Sequence, residues 1–160
     1  MPVPSRIKKP KKDVGSVSQS DLFGLVGYNI KRAYMYMHRD FKATLDDLDL
    51  TQRTFSVLSI VVANPDISQS AVTGALAIER SGTVVIVDEL EGRDLIQREK
   101  VPGDRRAYAL RATLKGHDFY AKALAAVHRH EERVLGNMNR QERQTLIALL
   151  QHVQNEEDQQ

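Results

Sequence analysis

Residues 67–112 read ISQSAVTGALAIERSGTVVIVDELEGRDLIQREKVPGDRRAYALRA. Ser68 is placed to cap a short helix running to about Leu76 or Ala77, since a serine oxygen accepts from a first-turn N–H. After a brief turn, a second helix is expected from about Glu79 to Glu91. Its β-branched run from Val84 through Ile86 to Val87 would also suit a strand. The context between a short helix and a hairpin favours a helix. Leu95 to Glu99 reads as one strand, Val101 to Asp104 as a turn with Pro102 and Gly103 at its centre, and Arg106 to Leu110 as the return strand. A short helix, a tight turn, a second helix and a hairpin together describe a winged helix-turn-helix.

The flanks are helical. Residues 20–46 read as one long helix, capped by Ser20 or Asp21. Leu22, Val26, Ile30, Ala33, Met37 and Phe41 recur on one face. Tyr28, Arg32, Met35 and Tyr36 fall elsewhere around it, and a helix apolar on more than one face suits a dimer. Thr51 caps a helix to about Ala63 that buries Phe55, Leu58 and Val62, and Asn64-Pro65-Asp66 stops it. Beyond the hairpin, Thr113 caps a long helix that carries Phe119, Leu124, Val127 and Val134 to about Gly136 or Asn137. Asn139 with Glu142 has capping-box spacing, and Leu146, Leu149, Leu150 and Val153 form the stripe of a last helix. The expected fold is therefore mainly α. It comprises a basic disordered arm (1–19), an N-terminal dimerisation and ligand helix (20–50), a winged helix-turn-helix (51–112), C-terminal dimerisation helices (113–155) and an acidic tail (156–160).

Composition narrows the function. The chain has 160 residues, 41% of them hydrophobic, which suits one folded domain. A formal charge of +2 does not by itself announce a nucleic-acid partner. The charge is uneven, however: Arg6, Lys8, Lys9, Lys11 and Lys12 crowd the N-terminal arm, which is either a solvated tail or a basic arm tracking DNA phosphates. There is no cysteine, so disulfides, thiolate zinc sites and a cysteine nucleophile are excluded. No long apolar run suggests a membrane span, and no apolar segment follows the basic N-terminus, so the cytoplasm is the expected compartment. His128 with Glu131 and Glu132 reads as a solvated helix face, not a metal site. No nucleophile elbow, phosphate loop or metalloprotease motif is present, so neither catalysis nor a cofactor is expected.

The residue types in 67–112 suit double-stranded DNA. A helix fits the major groove, and its first turns reach base edges. Arg80, Ser81, Gly82 and Thr83 open the second helix with donors, acceptors and a small residue that permits close approach. Ser68, Gln69 and Ser70 can donate to a phosphate from the start of the preceding helix. Arg98, Lys100, Arg105 and Arg106 lie along the hairpin, whose tip can enter the minor groove.

Several of these residues also form a recognisable pattern. Leu90-Glu91-Gly92-Arg93-Asp94-Leu95-Ile96, Arg98, Pro102-Gly103-Asp104-Arg105-Arg106-Ala107, Thr113 and Gly116 resemble the MarR family over about residues 20–155. The resemblance implies a homodimer with a winged domain on each side and repression relieved by a phenolic or other aromatic ligand. It implies that Asp104 is structural, pairing with Arg106, and that Arg105 reaches the minor groove. It also places an effector pocket between the dimerisation helices and the winged domain. Tyr28, Arg32, Met35, Tyr36, Arg39 and Phe55 are then the candidate ligand residues, with Arg32 or Arg39 holding the acid end of an aromatic carboxylate or its CoA thioester. The same aromatics could equally be core and dimer interface. Asp94 stands where the family usually has Gly, and Ala112 where Leu usually precedes the Thr. Val85 replaces a common polar or basic residue, leaving it either to touch a thymine methyl or to join the core. The alternative function is a helical scaffold dimer that binds no DNA.

Overall fold

The computed structural model describes residues 18–101 and 108–154. The expected arm before Ser18, the wing tip and the acidic tail lie outside them. The described elements run α1 (Ser20–Phe23), α2 (Val26–Asp46), α3 (Gln52–Ala63), β1 (Ile67–Ser68), α4 (Gln69–Leu76), α5 (Arg80–Gly92), β2 (Ile96–Lys100), β3 (Tyr108–Ala112), α6 (Leu114–Val134) and α7 (Arg140–Gln154). The chain divides into two compact units, with the boundary inside α2 after Tyr36.

In the first unit, the single helix expected from residue 20 is broken. Gly24 and Leu25 close short turns onto Asp21 and Leu22. The Asn29 side chain then donates to the carbonyls of Phe23 and Leu25 at 2.9 and 2.8 Å, satisfying acceptors near the break. Neither Ser20 nor Asp21 caps the helix, because Gln19 occupies the cap position and its side chain makes no cap bond.

In the second unit the expected caps are present. The hydroxyls of Thr51, Ser68 and Thr113 accept from the backbone N–H three residues on. Asn139 and Glu142 exchange side chain to backbone bonds at 2.8 and 2.9 Å, completing a capping box. The β-branched run in α5 is helical because Thr83, Ile86, Val87 and Leu90 are buried at helical spacing. Packing thus overrides local strand preference.

Among the described residues the sheet has three antiparallel strands in the order β1-β3-β2. Ile67 pairs with Leu110 and Ser68 with Ala109, adding a strand to the expected hairpin. Strand β2 begins at Ile96, one residue later than expected, and β3 continues to Ala112, two residues beyond the expected end, with Ile96 opposite Ala112 and Lys100 opposite Tyr108. One core gathers Val57, Leu58, Val61, Val72, Ile86, Val87, Leu90, Leu95, Ile96 and Leu110 from α3, α4, α5 and the sheet. A second, around Leu45, Leu50 and Ala123, is walled by Phe41, Phe55, Phe119 and Val127.

The junction between these cores is tightly built. Asp94, two residues past the end of α5, takes a φ of 59°. Gly tolerates that left-handed turn best, and Asp is among the few other side chains that visit it. The Thr113 hydroxyl donates to the Asp94 carbonyl at 2.8 Å. Arg93 donates to the carbonyls of Asp49 and Leu48 and lies 5.0 Å from the Phe119 ring centre. The winged segment is thereby pinned to the chain ahead of α3 and to α6.

Candidate nucleic-acid interface

Helix α5 presents two contrasting sides. Thr83, Ile86, Val87 and Leu90 face the core. At 3.6 residues per turn, Ser81, Val84, Val85 and Asp88 fall opposite them. All four are exposed, as is Arg80 at the helix start. Glu79 occupies the cap position without a side-chain bond to the first turn. Gly82 has open space where a Cβ would project, so no neighbouring protein group requires a glycine there. Arg80 and Ser81 are thus exposed at the start of the helix, and Gly82 is half-buried beside them.

Thr83 does not. It is 0% exposed, and its hydroxyl lies 2.9 Å from that of Thr73 and bonds the Glu79 carbonyl. It ties α4 to α5 and has no surface to offer a base. Thr83 follows Ser81 by two residues, and two residues on a helix lie on different faces.

Helix α4 begins beside this surface. Ser70 is exposed, Gln69 is half-buried, and Ser68 is exposed with its oxygen already accepting from Ala71. The Ser68 hydroxyl proton remains available for donation.

Arg98 also departs from expectation. Its guanidinium is held by Asp88 and Glu91 of α5. Burial works against its charge, but the two carboxylates more than offset this and raise its pKa above the usual arginine value. Arg98 therefore fastens β2 to α5 and neutralises acids beside the outward face of the helix; it is not a free cation. Lys100 remains exposed near the end of β2, opposite Tyr108. Asp104, Arg105 and Arg106 lie outside the described residues. Sequence reasoning missed a further pair, Arg111 with Asp66, whose guanidinium makes three bonds of 2.6 to 3.0 Å to the carboxylate. The partners are far apart in sequence, and only the pairing of β1 with β3 brings them together.

Two short solvent-facing segments, the start of α4 and the outer side of α5, thus sit next to the ribbon of β2 and β3. A family model described as the MarR family matches residues 48–107. A candidate transcriptional regulatory protein for the hcr operon of Thauera aromatica is 31% identical over 149 residues, covering 92% of this chain and 90% of that one.

The chain belongs to the MarR family.

Solved structures of relatives agree with this assignment. The transcriptional repressor CouR bound to a 23-mer DNA duplex is 35% identical, with a TM-score of 0.79 over 86% of this chain and 98% of that one. CouR bound to p-coumaroyl-CoA is 33% identical, with a TM-score of 0.72 over 86% and 97% of the two chains. Bordetella bronchiseptica BpsR, whose DNA binding is regulated by 6-hydroxynicotinic acid, is 26% identical, with a TM-score of 0.70 over 81% and 98%. This chain is accordingly a transcriptional regulator of the MarR type. Among the described residues, no single helix is long and apolar enough to cross a membrane.

The residues expected to hold an effector are distributed over both units. In the first, Arg32 donates to the Tyr28 hydroxyl at 3.4 Å and lies 5.0 Å from the Phe23 ring centre, while Met35 and Tyr36 are exposed. In the second, Arg39 is exposed, and Phe55 stacks on Tyr120 at 5.8 Å and meets Phe41 edge-on. Beside this aromatic cluster lies a polar group that sequence reasoning did not single out. His130 is 2% exposed, and its Nδ1 is 2.6 Å from Asp40 Oδ2, which also accepts from Arg133 at 2.6 Å. The Arg133 and His130 bonds hold the Asp40 carboxyl below its ordinary pKa.

Proposed function

We propose that this MarR-family regulator is a repressor that binds a near-palindromic duplex as a homodimer and is released by a small aromatic effector. The observation that carries the reading is the outward side of α5, where Arg80 and Ser81 are exposed beside the ribbon. An exposed helix of this kind fits the major groove, and a dimer would set two of them about 34 Å apart, one per helical turn. Arg105 is assigned to the minor groove, with Asp104 and Arg106 shaping the wing. Ser68, Gln69, Ser70 and Lys100 are assigned to phosphates.

Dimerisation is supported by apolar surface. On α7, Leu146, Ile147, Leu149, Leu150 and Val153 are all exposed; around α1 and early α2, so are Leu22, Leu25, Val26 and Ile30. Side chains of this kind on two separate elements call for burial against another chain. The effector is assigned to Tyr28, Arg32, Met35, Tyr36, Arg39 and Phe55, as an aromatic carboxylate or its CoA thioester. CouR and BpsR, with ligands of that chemistry, support the class. Such a ligand releases DNA only by favouring a conformation that fits DNA less well.

The test is selection of bound duplexes from a random pool, followed by affinity measurements over a range of salt concentrations. Binding that weakens steeply with salt supports phosphate neutralisation, and Arg105→Ala should lower the logarithmic salt slope by about 1 per protomer contact. Failure to select any duplex would favour the scaffold alternative. Calorimetric titration with aromatic acids and their CoA thioesters tests the effector, and no binding by any of them would remove that assignment.

A further inference from the structure

The outward side of α5 is unusual in chemistry. A surface that reads bases through hydrogen bonds should carry Arg, Lys, Asn or Gln across the second turn. This helix instead has Val84 and Val85, 37% and 66% exposed. The sequence left Val85 open between the core and a base contact. The core side of the helix is filled by Thr83, Ile86, Val87 and Leu90, so Val85 is not core. Its surroundings also argue against a protein interface, since Arg80, Ser81 and Asp88 frame the two valines with polar groups. The Asp88 charge is matched by Arg98, so the second turn of the helix offers no free cation and no hydrogen-bond donor from a side chain.

One group in the major groove suits such a surface. The thymine 5-methyl is the apolar group that projects into it from the bases. We propose that Val85, with Val84 beside it, recognises a thymine methyl group in each half-site, making Val85 a specificity-determining residue. The inference rests on the reading of α5 as the DNA-facing helix. Arg80 and Ser81 lie one turn earlier and set register and polarity, and the valines then select thymine by burial, not by hydrogen bonding. A cytosine or uracil at that position lacks the methyl group and leaves the valines against empty or polar groove.

The experiment uses the full chain and the duplex it selects from a random pool, with each thymine of one half-site replaced in turn by uracil. Uracil keeps every hydrogen-bonding group and loses only the methyl. At one position, affinity should fall about fourfold for one half-site and about fifteenfold when both carry uracil, the effect of one buried methyl per site. For Val85→Ala the same uracil duplexes should bind within about twofold of the thymine duplex, since little apolar contact remains to lose. Val85→Ile should retain the sensitivity. Val85 is largely exposed, so these variants keep the core intact. If the selected duplex binds in a salt-dependent manner but no uracil substitution matters, or Val85→Ala leaves the sensitivity unchanged, the thymine assignment is wrong while the DNA reading stands. If no duplex is selected at all, both fall.

Discussion

Gly116→Ala places a methyl group where the backbone leaves no room. The new Cβ would lie 1.9 Å from the Leu95 carbonyl oxygen, 2.9 Å from the Leu95 carbonyl carbon and 3.3 Å from its Cα. These are backbone atoms in the junction between α5 and β2, not the end of a flexible side chain. Restoring a normal contact requires α6 to retreat by roughly 1.5 Å. Helix propensity acts the other way, favouring Ala over Gly by about 1 kcal/mol. Against this stand overpacking, at about 1–3 kcal/mol, and the hydrogen bonds that the retreat breaks, at about 0.5–1.5 kcal/mol each. Those bonds run from the Thr113 hydroxyl to the Asp94 carbonyl at 2.8 Å and from the Thr113 N–H to the Leu95 carbonyl at 3.1 Å. The balance is a loss of about 1–5 kcal/mol. Urea denaturation followed by far-ultraviolet circular dichroism, at fixed chain concentration, should show a lower midpoint with a similar slope. An Ala variant as stable as the parent, or more stable, would refute the close approach and leave propensity as the only effect.

Three other substitutions follow from the same geometry. Gly82→Ala meets open space, so it should stabilise the chain by about 0.5–1 kcal/mol while weakening DNA binding, because the added methyl lies on accessible helix surface; denaturation and gel-shift titration should therefore move in opposite directions, and parallel changes would contradict the assignment. Arg98→Gln should cost about 1–2 kcal/mol of stability, allowing for partial exposure, because Asp88 and Glu91 lose their counter-charge; unchanged stability with a salt slope reduced by about 1 would instead mark Arg98 as a phosphate contact. Asp40→Asn should flatten the acid limb of stability. The Arg133 and His130 bonds hold the Asp40 carboxyl below 3.8, so its contribution is complete above that pH and is lost as pH falls through the lower folded value. Denaturation midpoints measured below pH 3.8 should fall more steeply for the parent than for the variant, and equal slopes would show that the bonds are not maintained in solution.

What was legible in the sequence was local. A helix cap links a side chain to a backbone group three residues away, so Thr51, Ser68, Thr113 and the Asn139–Glu142 pair could be read directly, and all are present. What escaped depends on distant neighbours. Strand β1 has only two residues, too few to show alternation, and exists because β3 passes beside it. Thr83 and Arg98 look like DNA-facing groups by type, yet the first lies on the packed side of α5 and the second is claimed by two acids of that helix. At the break at Gly24 the Asn29 side chain folds back to the Phe23 and Leu25 carbonyls, a contact that helical periodicity does not show. Val85 shows the converse case: its residue type suits a core, and only the position of the buried stripe turns it outward.

Methylation protection of the selected duplex tests the central claim most directly, because guanine N7 lies in the major groove. Two clusters of protected guanines should appear, related by the two-fold axis of the site and centred about 10 base pairs apart. With Arg80→Ala, protection should weaken in both clusters together. A bound duplex with no protected N7 in either half-site, or with a single unpaired cluster, would mean that α5 is not the helix that meets the bases.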